Sequence, residues 1–145
     1  MVNNYINYAT SFTIFNGQEH IRNEFINNNL EVQNNISASE LITVEKTNSY
    51  PERWAIRNGM NSCWSKKINH FCYERMPSSR DEDFFQEMRF ETLDEAMKIG
   101  LEIAKVYEKA FSRWFKWVFV DKKENPYVAK FLQEEMEKQY GKYKD

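Results

Sequence analysis

An apolar pattern of helical period runs through residues 92–120, and it constrains the fold more than any other stretch of the chain. Thr92 and Glu95 have the spacing of a capping box, in which a hydroxyl accepts a hydrogen bond from the first helical turn and a carboxylate reaches back. The sequence therefore predicts one long helix from residue 92 to about residue 118, with one side that must pack on another apolar surface. The residues that recur on that side are Ala96, Gly100, Ile103, Ala104, Tyr107, Phe111, Trp114 and Val118.

The chain before this helix has a period of two, which is typical of β-strands. A strand that begins at Glu52 ends at Asn58-Gly59, a dipeptide that favours a hairpin. We expect a second strand over residues 62–75, for which an interruption at Lys66-Lys67 is the alternative to a continuous strand. A third strand is expected over residues 84–91, in which Phe84, Met88 and Phe90 share one face. Residues 52–120 therefore predict a β-β-β-α core, with a three-stranded antiparallel sheet packed on the long helix.

The two ends of the chain add further elements. Residues 1–50 are expected to form a strand within residues 5–15, a helix from Gly17 to about residue 28 capped by Asn16, and a short helix over residues 37–46, which a strand pattern also fits. Residues 125–140 predict a C-terminal helix with Asn125 as its cap and Pro126 at its first position. The fold class is α+β, and the length of 145 residues predicts a single domain over residues 1–145.

The charge and hydropathy of the chain disfavour several classes of function. The formal net charge is -2, which gives no overall attraction to nucleic acid or to anionic membranes. No apolar run approaches the ~18 residues of a membrane-spanning helix. We expect no membrane association and a cytoplasmic location, which is the host cell cytoplasm if the protein is encoded by a phage.

The sequence contains no motif that predicts catalysis, a cofactor or a metal. Its four glycines are far apart, so a glycine-rich phosphate loop is excluded. Cys63, His70 and Cys72 are the nearest approach to a metal site, but a structural zinc needs four ligands. The same residues could form a Cys–His nucleophile pair, but no group is evident that would orient the histidine. We therefore predict no catalytic residue, no cofactor and no metal.

Aromatic and acidic residues indicate a surface that binds another protein. Aromatic residues make up 16% of the chain, and tyrosine and tryptophan are enriched at interfaces. Four rings at the end of the long helix, those of Trp114, Phe115, Trp117 and Phe119, cannot all face one side, so some of them are expected to meet a partner or a second copy in a homodimer. An acidic cluster is expected at a charged hairpin tip, where it suits a basic partner. The predicted partner-binding residues are Trp114, Trp117, Phe119, Asp81, Glu82 and Asp83.

The leading functional prediction is a non-catalytic protein-binding module. Small size, the lack of a catalytic motif and a composition typical of an AT-rich genome are features of accessory proteins from phages and mobile elements. The concrete form of the prediction is an inhibitor of a bacterial defence complex, similar in role to an anti-CRISPR protein.

A sheet-type nucleic-acid-binding protein is the alternative. The β-β-β-α order with RWAIR in its first strand resembles the plant Apetala-type domain and integrase arm-binding domains, in which the sheet lies in the major groove of DNA. Residues 52–90 hold seven Lys and Arg against six Asp and Glu, which is less basic than such a sheet needs. The residues that would contact nucleic acid are Arg53, Arg57, Lys66, Lys67 and Arg75. A small enzyme of unknown type ranks third.

Overall fold

The computed structural model describes residues 10–25, 40–59 and 61–142, and it confirms the α+β fold class. A 3₁₀ turn at Pro77–Ser79 and a π-helical turn at Lys116–Val120 accompany the regular elements. Within the described ranges, no helix is both long and apolar enough to cross a membrane. The strands and helices, in chain order, are β1 (Ser11–Asn16), α1 (Gly17–Phe25), β2 (Leu41–Ser49), β3 (Glu52–Gly59), β4 (Ser62–Ser65), β5 (His70–Tyr73), α2 (Glu82–Met88), α3 (Leu93–Phe115) and α4 (Val128–Tyr140).

The sheet has five strands in the order β1-β2-β3-β4-β5, so the prediction of three strands was wrong. The sheet is antiparallel, as predicted, in the pairs β2-β3, β3-β4 and β4-β5, but only β3-β4 corresponds to a predicted pairing. The predicted strand over residues 62–75 is divided into β4 and β5 by a turn at residues 66–69, where Asn69 has a φ of 51°. Two more strands, β1 and β2, come from the segment that the sequence had assigned to a separate extension, and the predicted third strand over residues 84–91 is not part of the sheet.

The predicted short helix over residues 37–46 is wrong for the part that the structure describes, because β2 begins at Leu41. Ile42 and Val44 are both fully buried and alternate with the half-buried Thr43 and Glu45. This alternation buries two β-branched side chains on one face of the sheet, which a strand does and a helix does not. Residues 37–39 lie outside the described part of the chain.

The predicted third strand over residues 84–91 is also wrong, since most of it is helix α2. Phe84 and Met88 are four residues apart, so one helical face buries both of them. Asp81 accepts a hydrogen bond of 2.9 Å from the Phe84 backbone N–H, and this cap starts the helix. Only Phe90 pairs as a strand residue, through two backbone hydrogen bonds of 2.8 Å with Trp54.

Contacts divide the chain into two compact units, and the division falls within α3 after Gly100. Unit 1 comprises Ile42–Gly100 with the described chain up to Ile14, and unit 2 comprises the described parts of Phe15–Leu41 and Leu101–Asp145. The prediction that residues 1–145 form a single domain stays a prediction.

The core of unit 1 lies between the sheet and the first turns of α3. Gly100 is buried, and a Cβ atom at this position would lie 2.7 Å from Ile14 Cδ1 and 3.3 Å from Val44 Cγ2. The glycine is therefore explained by close packing against side chains of the sheet. The buried apolar residues of this unit are Ile42, Val44, Trp54, Ala55, Ile56, Cys63, Trp64, Phe84, Met88, Phe90 and Ala96.

The long helix is confirmed. The Glu95 N–H lies 3.2 Å from Thr92 Oγ1, which supplies the predicted cap. After Phe115 the helix widens into the π-helical turn, which ends at Val120.

The core of unit 2 combines the second part of α3 with α1 and α4. Asn16 caps α1 as predicted, since its Oδ1 accepts a 3.1 Å hydrogen bond from the Glu19 N–H. The predicted start of α4 is wrong, because its N-cap is Tyr127 and neither Asn125 nor Pro126 is helical. The buried apolar residues of this unit are Phe15, Ile21, Ile103, Ala104, Val106, Tyr107, Ala110, Phe111, Trp114, Phe115 and Phe131.

Candidate functional site

A buried carboxylate, Glu74, holds together the segment that joins β5 to α2 in unit 1. Its oxygens are shared by Arg57, whose Nη2 donates over 3.0 Å, by Arg80 at 3.1 Å, and by Arg89, which is itself buried. Arg57 also contacts Glu45, with 2.8 Å between Nε and Oε2. The network ties β2, β3 and the start and end of α2 to one point.

The electrostatics of Glu74 are dominated by these arginines. Burial alone would raise the pKa of this carboxyl, but hydrogen bonds from Arg57 and Arg89 and their positive charges outweigh it and lower the pKa. Glu74 is therefore ionised near neutral pH. A buried ion pair of this kind fixes geometry, because removing either partner leaves an uncompensated charge.

A second set of contacts surrounds the ring of Phe84. The guanidinium carbons of Arg75, Arg80 and Arg89 lie 5.3, 5.1 and 4.9 Å from its centroid, which is within cation–π range. Arg75 also pairs with Asp81 over 3.1 Å. The hydrogen bond from the Phe84 backbone, with that from Arg75, lowers the pKa of Asp81.

Residues 73–83, named here the β5–α2 connection, carry exposed side chains and are anchored by the Glu74 ion-pair network. Tyr73 is 71% exposed and Met76 is 66% exposed, and neither is part of the apolar core. Glu82 and Asp83 follow in the first turn of α2, and both are exposed. The connection therefore presents two large exposed side chains, Tyr73 and Met76, and the exposed carboxylates of Glu82 and Asp83.

The acidic residues predicted to bind a partner lie in this connection, but they do not form a hairpin tip as the sequence predicted. They form the N-terminal turn of α2, where negative charge is favoured by the helix dipole. Asp81 is used as the helix cap, which leaves Glu82 and Asp83 directed to solvent.

The aromatic residues predicted to bind a partner lie in unit 2. Trp114 is buried and donates its indole N–H to the Pro126 carbonyl over 3.0 Å. Trp117 is half-buried and donates to the Glu124 carbonyl over 2.9 Å. Phe119 is half-buried, with its ring 4.7 Å from that of Phe115. The two indole hydrogen bonds tie the backbone at Glu124 and Pro126 to the end of the long helix, and α4 begins after this segment, at Val128.

Of the five basic residues predicted to contact nucleic acid in the alternative function, two are paired with carboxylates. Arg57 and Arg75 are in the ion pairs described above. Lys66 lies with its Nζ 5.0 Å from the Phe90 ring, and Arg53 is half-buried. Lys67 is exposed.

The cysteines and His70 do not assemble a metal site. Cys63 is fully buried beside Met88, with 3.7 Å between the two sulfur atoms, and Cys72 is half-buried. His70 is exposed at the start of β5. In the described residues there is no group of three or more His, Cys, Asp or Glu side chains that could hold a metal ion.

Sequence reasoning missed a polar cluster in unit 2 made by His20, Glu24 and Ser112. The Ser112 hydroxyl donates to Glu24 Oε2 over 2.6 Å, and His20 Nε2 lies 2.9 Å from both. In a catalytic triad the carboxylate and the hydroxyl bond to opposite ring nitrogens, whereas here both contact the same one. The cluster therefore fastens α1 to α3. The spacing of His20 and Glu24 by four residues was the available signal.

Comparisons with protein-family models, with curated proteins and with solved structures gave no match. Function is therefore argued from the residues of the site, since a fold class alone does not imply an activity.

Proposed function

We propose that this protein is a non-catalytic protein-binding module and that the β5–α2 connection is its main contact surface. The observation that carries the proposal is the exposure of Tyr73 and Met76 on a segment anchored by the buried Glu74 network. Tyrosine supplies contact area at low entropic cost, and methionine adapts its shape to a partner. A surface ordered before binding loses less conformational freedom when the partner arrives.

The charges of the connection define the chemistry of the partner. Glu82 and Asp83 are exposed carboxylates of the same connection, so they favour a partner whose contact face carries basic as well as apolar residues. Complementary charge of this kind accelerates association and excludes acidic partners.

The end of α3 is proposed as a second contact region. Trp117 and Phe119 are half-buried, and the neighbouring Val120 and Tyr127 are 45% and 90% exposed. Trp114 contributes by holding the backbone at Pro126, which precedes the exposed Tyr127. Alternatively, a second copy of the chain binds this region, and the protein is then a homodimer.

The concrete form of the proposal is a phage or mobile-element protein that inhibits a bacterial defence complex. It rests on small size, composition and the absence of a catalytic motif in the sequence. Protein binding is favoured over the nucleic-acid alternative because two of the five candidate basic residues are neutralised by carboxylates.

Affinity capture from bacterial lysate, with quantitative mass spectrometry, tests the binding surface. Tyr73→Ala and Met76→Ala should each lose the partner that wild type enriches, while the melting temperature stays within about 2 °C because the side chains are exposed. Tyr50→Ala is the matched control, since Tyr50 is 94% exposed in the same unit but lies outside the connection. Retention of the same partner by Tyr73→Ala and Met76→Ala would remove the connection from the interface.

A phage-plating assay tests the inhibitor proposal separately. Wild-type protein is expressed in bacterial strains that each carry one defence system, and phage plating is counted. We expect restored plating in one strain, lost with Tyr73→Ala and kept with Tyr50→Ala. If plating is unchanged in every strain while partner capture is confirmed, the inhibitor proposal is rejected and the proposal of a protein-binding module stands.

A further inference from the structure

Cys63 and Cys72 lie directly opposite each other on the neighbouring antiparallel strands β4 and β5. The Glu74 N–H donates to the Asn61 carbonyl over 2.9 Å, which makes residues 61 and 74 a hydrogen-bonded pair. Pair types alternate along an antiparallel ladder, so the two cysteines, two positions further on, are also a hydrogen-bonded pair with Cα atoms about 5.5 Å apart. Disulfides span Cα separations of about 4.4–6.8 Å.

The side chains of the two cysteines share one apolar cluster. Cys72 packs against the buried group formed by Cys63, Phe84 and Met88. Opposite residues of a hydrogen-bonded pair have Cβ atoms near the upper end of the 4.5–5.5 Å range, so closing a disulfide, in which they are about 3.8 Å apart, requires an approach of about 1.5–2 Å. Both thiols are free in the structure.

We propose that Cys63 and Cys72 form a redox modification site, in which a hydroperoxide converts the facing thiols into a cross-strand disulfide. Cys72 reacts first, because it is half-buried whereas Cys63 is fully buried. Its thiolate attacks one peroxide oxygen, the O–O bond breaks, and Cys72 becomes a sulfenic acid with release of water. The thiolate of Cys63 then attacks the Cys72 sulfur, and the S–O bond breaks to release a second water. Two thiols and one hydrogen peroxide give one disulfide and two waters.

The disulfide acts on the β5–α2 connection through Cys63. The Cys63 sulfur lies 3.7 Å from Met88 Sδ and 3.7 Å from Arg89 Nη1, and Arg89 is one of the arginines on Glu74. A disulfide to Cys72 repositions this sulfur and therefore alters its contacts with Met88 and Arg89. Glu74 also follows Cys72 by two residues, so movement of β5 is passed directly to the network that anchors the connection.

Peptide mapping of the full chain after treatment with hydrogen peroxide tests the site. We expect loss of both free thiols, a whole-protein mass lower by two hydrogens, and a linked peptide pair that contains Cys63 and Cys72; dithiothreitol should reverse all three. Cys63→Ala should instead accumulate sulfenic and sulfinic acid at Cys72, and Cys72→Ser should leave Cys63 unmodified. Circular dichroism checks that both variants are folded. Wild type that accumulates Cys72 sulfinic acid or an intermolecular Cys72 disulfide would overturn the proposal.

Limited trypsin digestion tests the coupling to the connection. Arg75 and Arg80 are trypsin sites within it, and we expect faster cleavage there in the oxidised protein than in the reduced protein. Cleavage at Lys105, in the middle of α3, serves as the internal control. Equal rates at Arg75 and Arg80 in both states would overturn the coupling. Neither experiment requires the partner, so the site is tested independently of the binding function.

Discussion

Arg89 donates a hydrogen bond from its Nη2 to Glu74 Oε1, and both side chains are almost fully withdrawn from solvent, with exposed fractions of 1% and 4%. Glu74 directly follows β5, whereas Arg89 ends α2. The pair therefore fixes both ends of the β5–α2 connection at one buried point. The Arg89 guanidinium also donates a hydrogen bond to the Met88 carbonyl over 3.0 Å and lies over the Phe84 ring.

Replacing Glu74 should destabilise the protein strongly. Glu74→Gln leaves Arg89 buried without its counter-charge, and breaking such a pair costs about 3–5 kcal/mol of the free energy of unfolding. Glu45→Gln is the control, since Glu45 binds the same Arg57 from a partly exposed position and its loss should cost about 1 kcal/mol or less. Urea unfolding at pH 7 measures both. Equal effects of the two substitutions would contradict the central role of Glu74.

Stability should fall in acid because the pKa of Glu74 is lowered in the folded state. The unfolded chain, with a carboxyl pKa near 4.5, then binds more protons than the folded one between that value and the lower folded pKa. The contribution of Glu74 is thus complete above about pH 5 and is lost as the pH falls through its folded pKa. Unfolding free energies from pH 7 to pH 3 should decline less steeply in Glu74→Gln than in wild type; parallel curves would refute this.

Gly100 should tolerate alanine and reject larger residues. Alanine gains about 1 kcal/mol of helix propensity, while its Cβ meets the flexible end of Ile14 at 2.7 Å and Val44 at 3.3 Å. We expect Gly100→Ala to change the free energy of unfolding by about 1 kcal/mol at most, and Gly100→Leu to destabilise by about 1–3 kcal/mol through overpacking. Lys98→Leu, at an exposed position of the same helix, should be near neutral. A Gly100→Leu protein as stable as wild type would show that the sheet leaves room there.

The two thiols should react slowly with iodoacetamide at neutral pH. Burial raises the pKa of both Cys63 and Cys72, so the reactive thiolate is a minor form at neutral pH, and alkylation as well as the peroxide reaction proposed above is slow there. Alkylation should accelerate as the pH rises from 7 to 10, with Cys72 labelled before the fully buried Cys63. Mass spectrometry of quenched time points resolves the two sites. Fast labelling of both thiols at pH 7 would contradict the burial of Cys63.

The aromatic residues at the end of α3 should separate into core and surface. Trp114→Ala removes a buried ring and should cost about 3–5 kcal/mol. Trp117→Ala removes a half-buried ring and its bond to Glu124, so its cost should be smaller. Tyr127→Ala, at a 90% exposed position, should cost about 0.5 kcal/mol or less. Thermal melts give the order, and capture experiments on the same variants show which side chains contact a partner.

Elements with strong local signals followed from the sequence. The helix after Thr92 has a capping hydroxyl and an unbroken helical period, and both act between residues close in the chain. Asn16 caps α1 through a local contact of the same kind. The segment 52–65 forms the expected hairpin, but Asn58 and Gly59 lie within β3 rather than in the turn, since Gly59 pairs with Ser62. Local signals of this kind do not depend on the rest of the fold.

Tertiary structure decided the elements whose patterns fit two geometries. Residues 84–91 match a strand through Phe84, Met88 and Phe90, yet Phe84 and Met88 also share a helical face, and burial of that face with the Asp81 cap selects the helix. β2 became a strand because β3 supplies a hydrogen-bonded partner for Val44 opposite Ile56.

The Glu74 network lay beyond sequence reasoning for a different reason. Arg57, Arg80 and Arg89 come from β3 and from opposite ends of α2, and their charges look like ordinary surface charges in the sequence. A charged residue is buried without a large penalty only when an opposite charge lies beside it. Arg89 and Arg57 are 15 and 17 residues from Glu74 in the chain, so only the folded backbone brings these charges together. The sequence by itself determined the local helices and the hairpin, whereas packing across the sheet determined which charges are buried and therefore which surface is held in place.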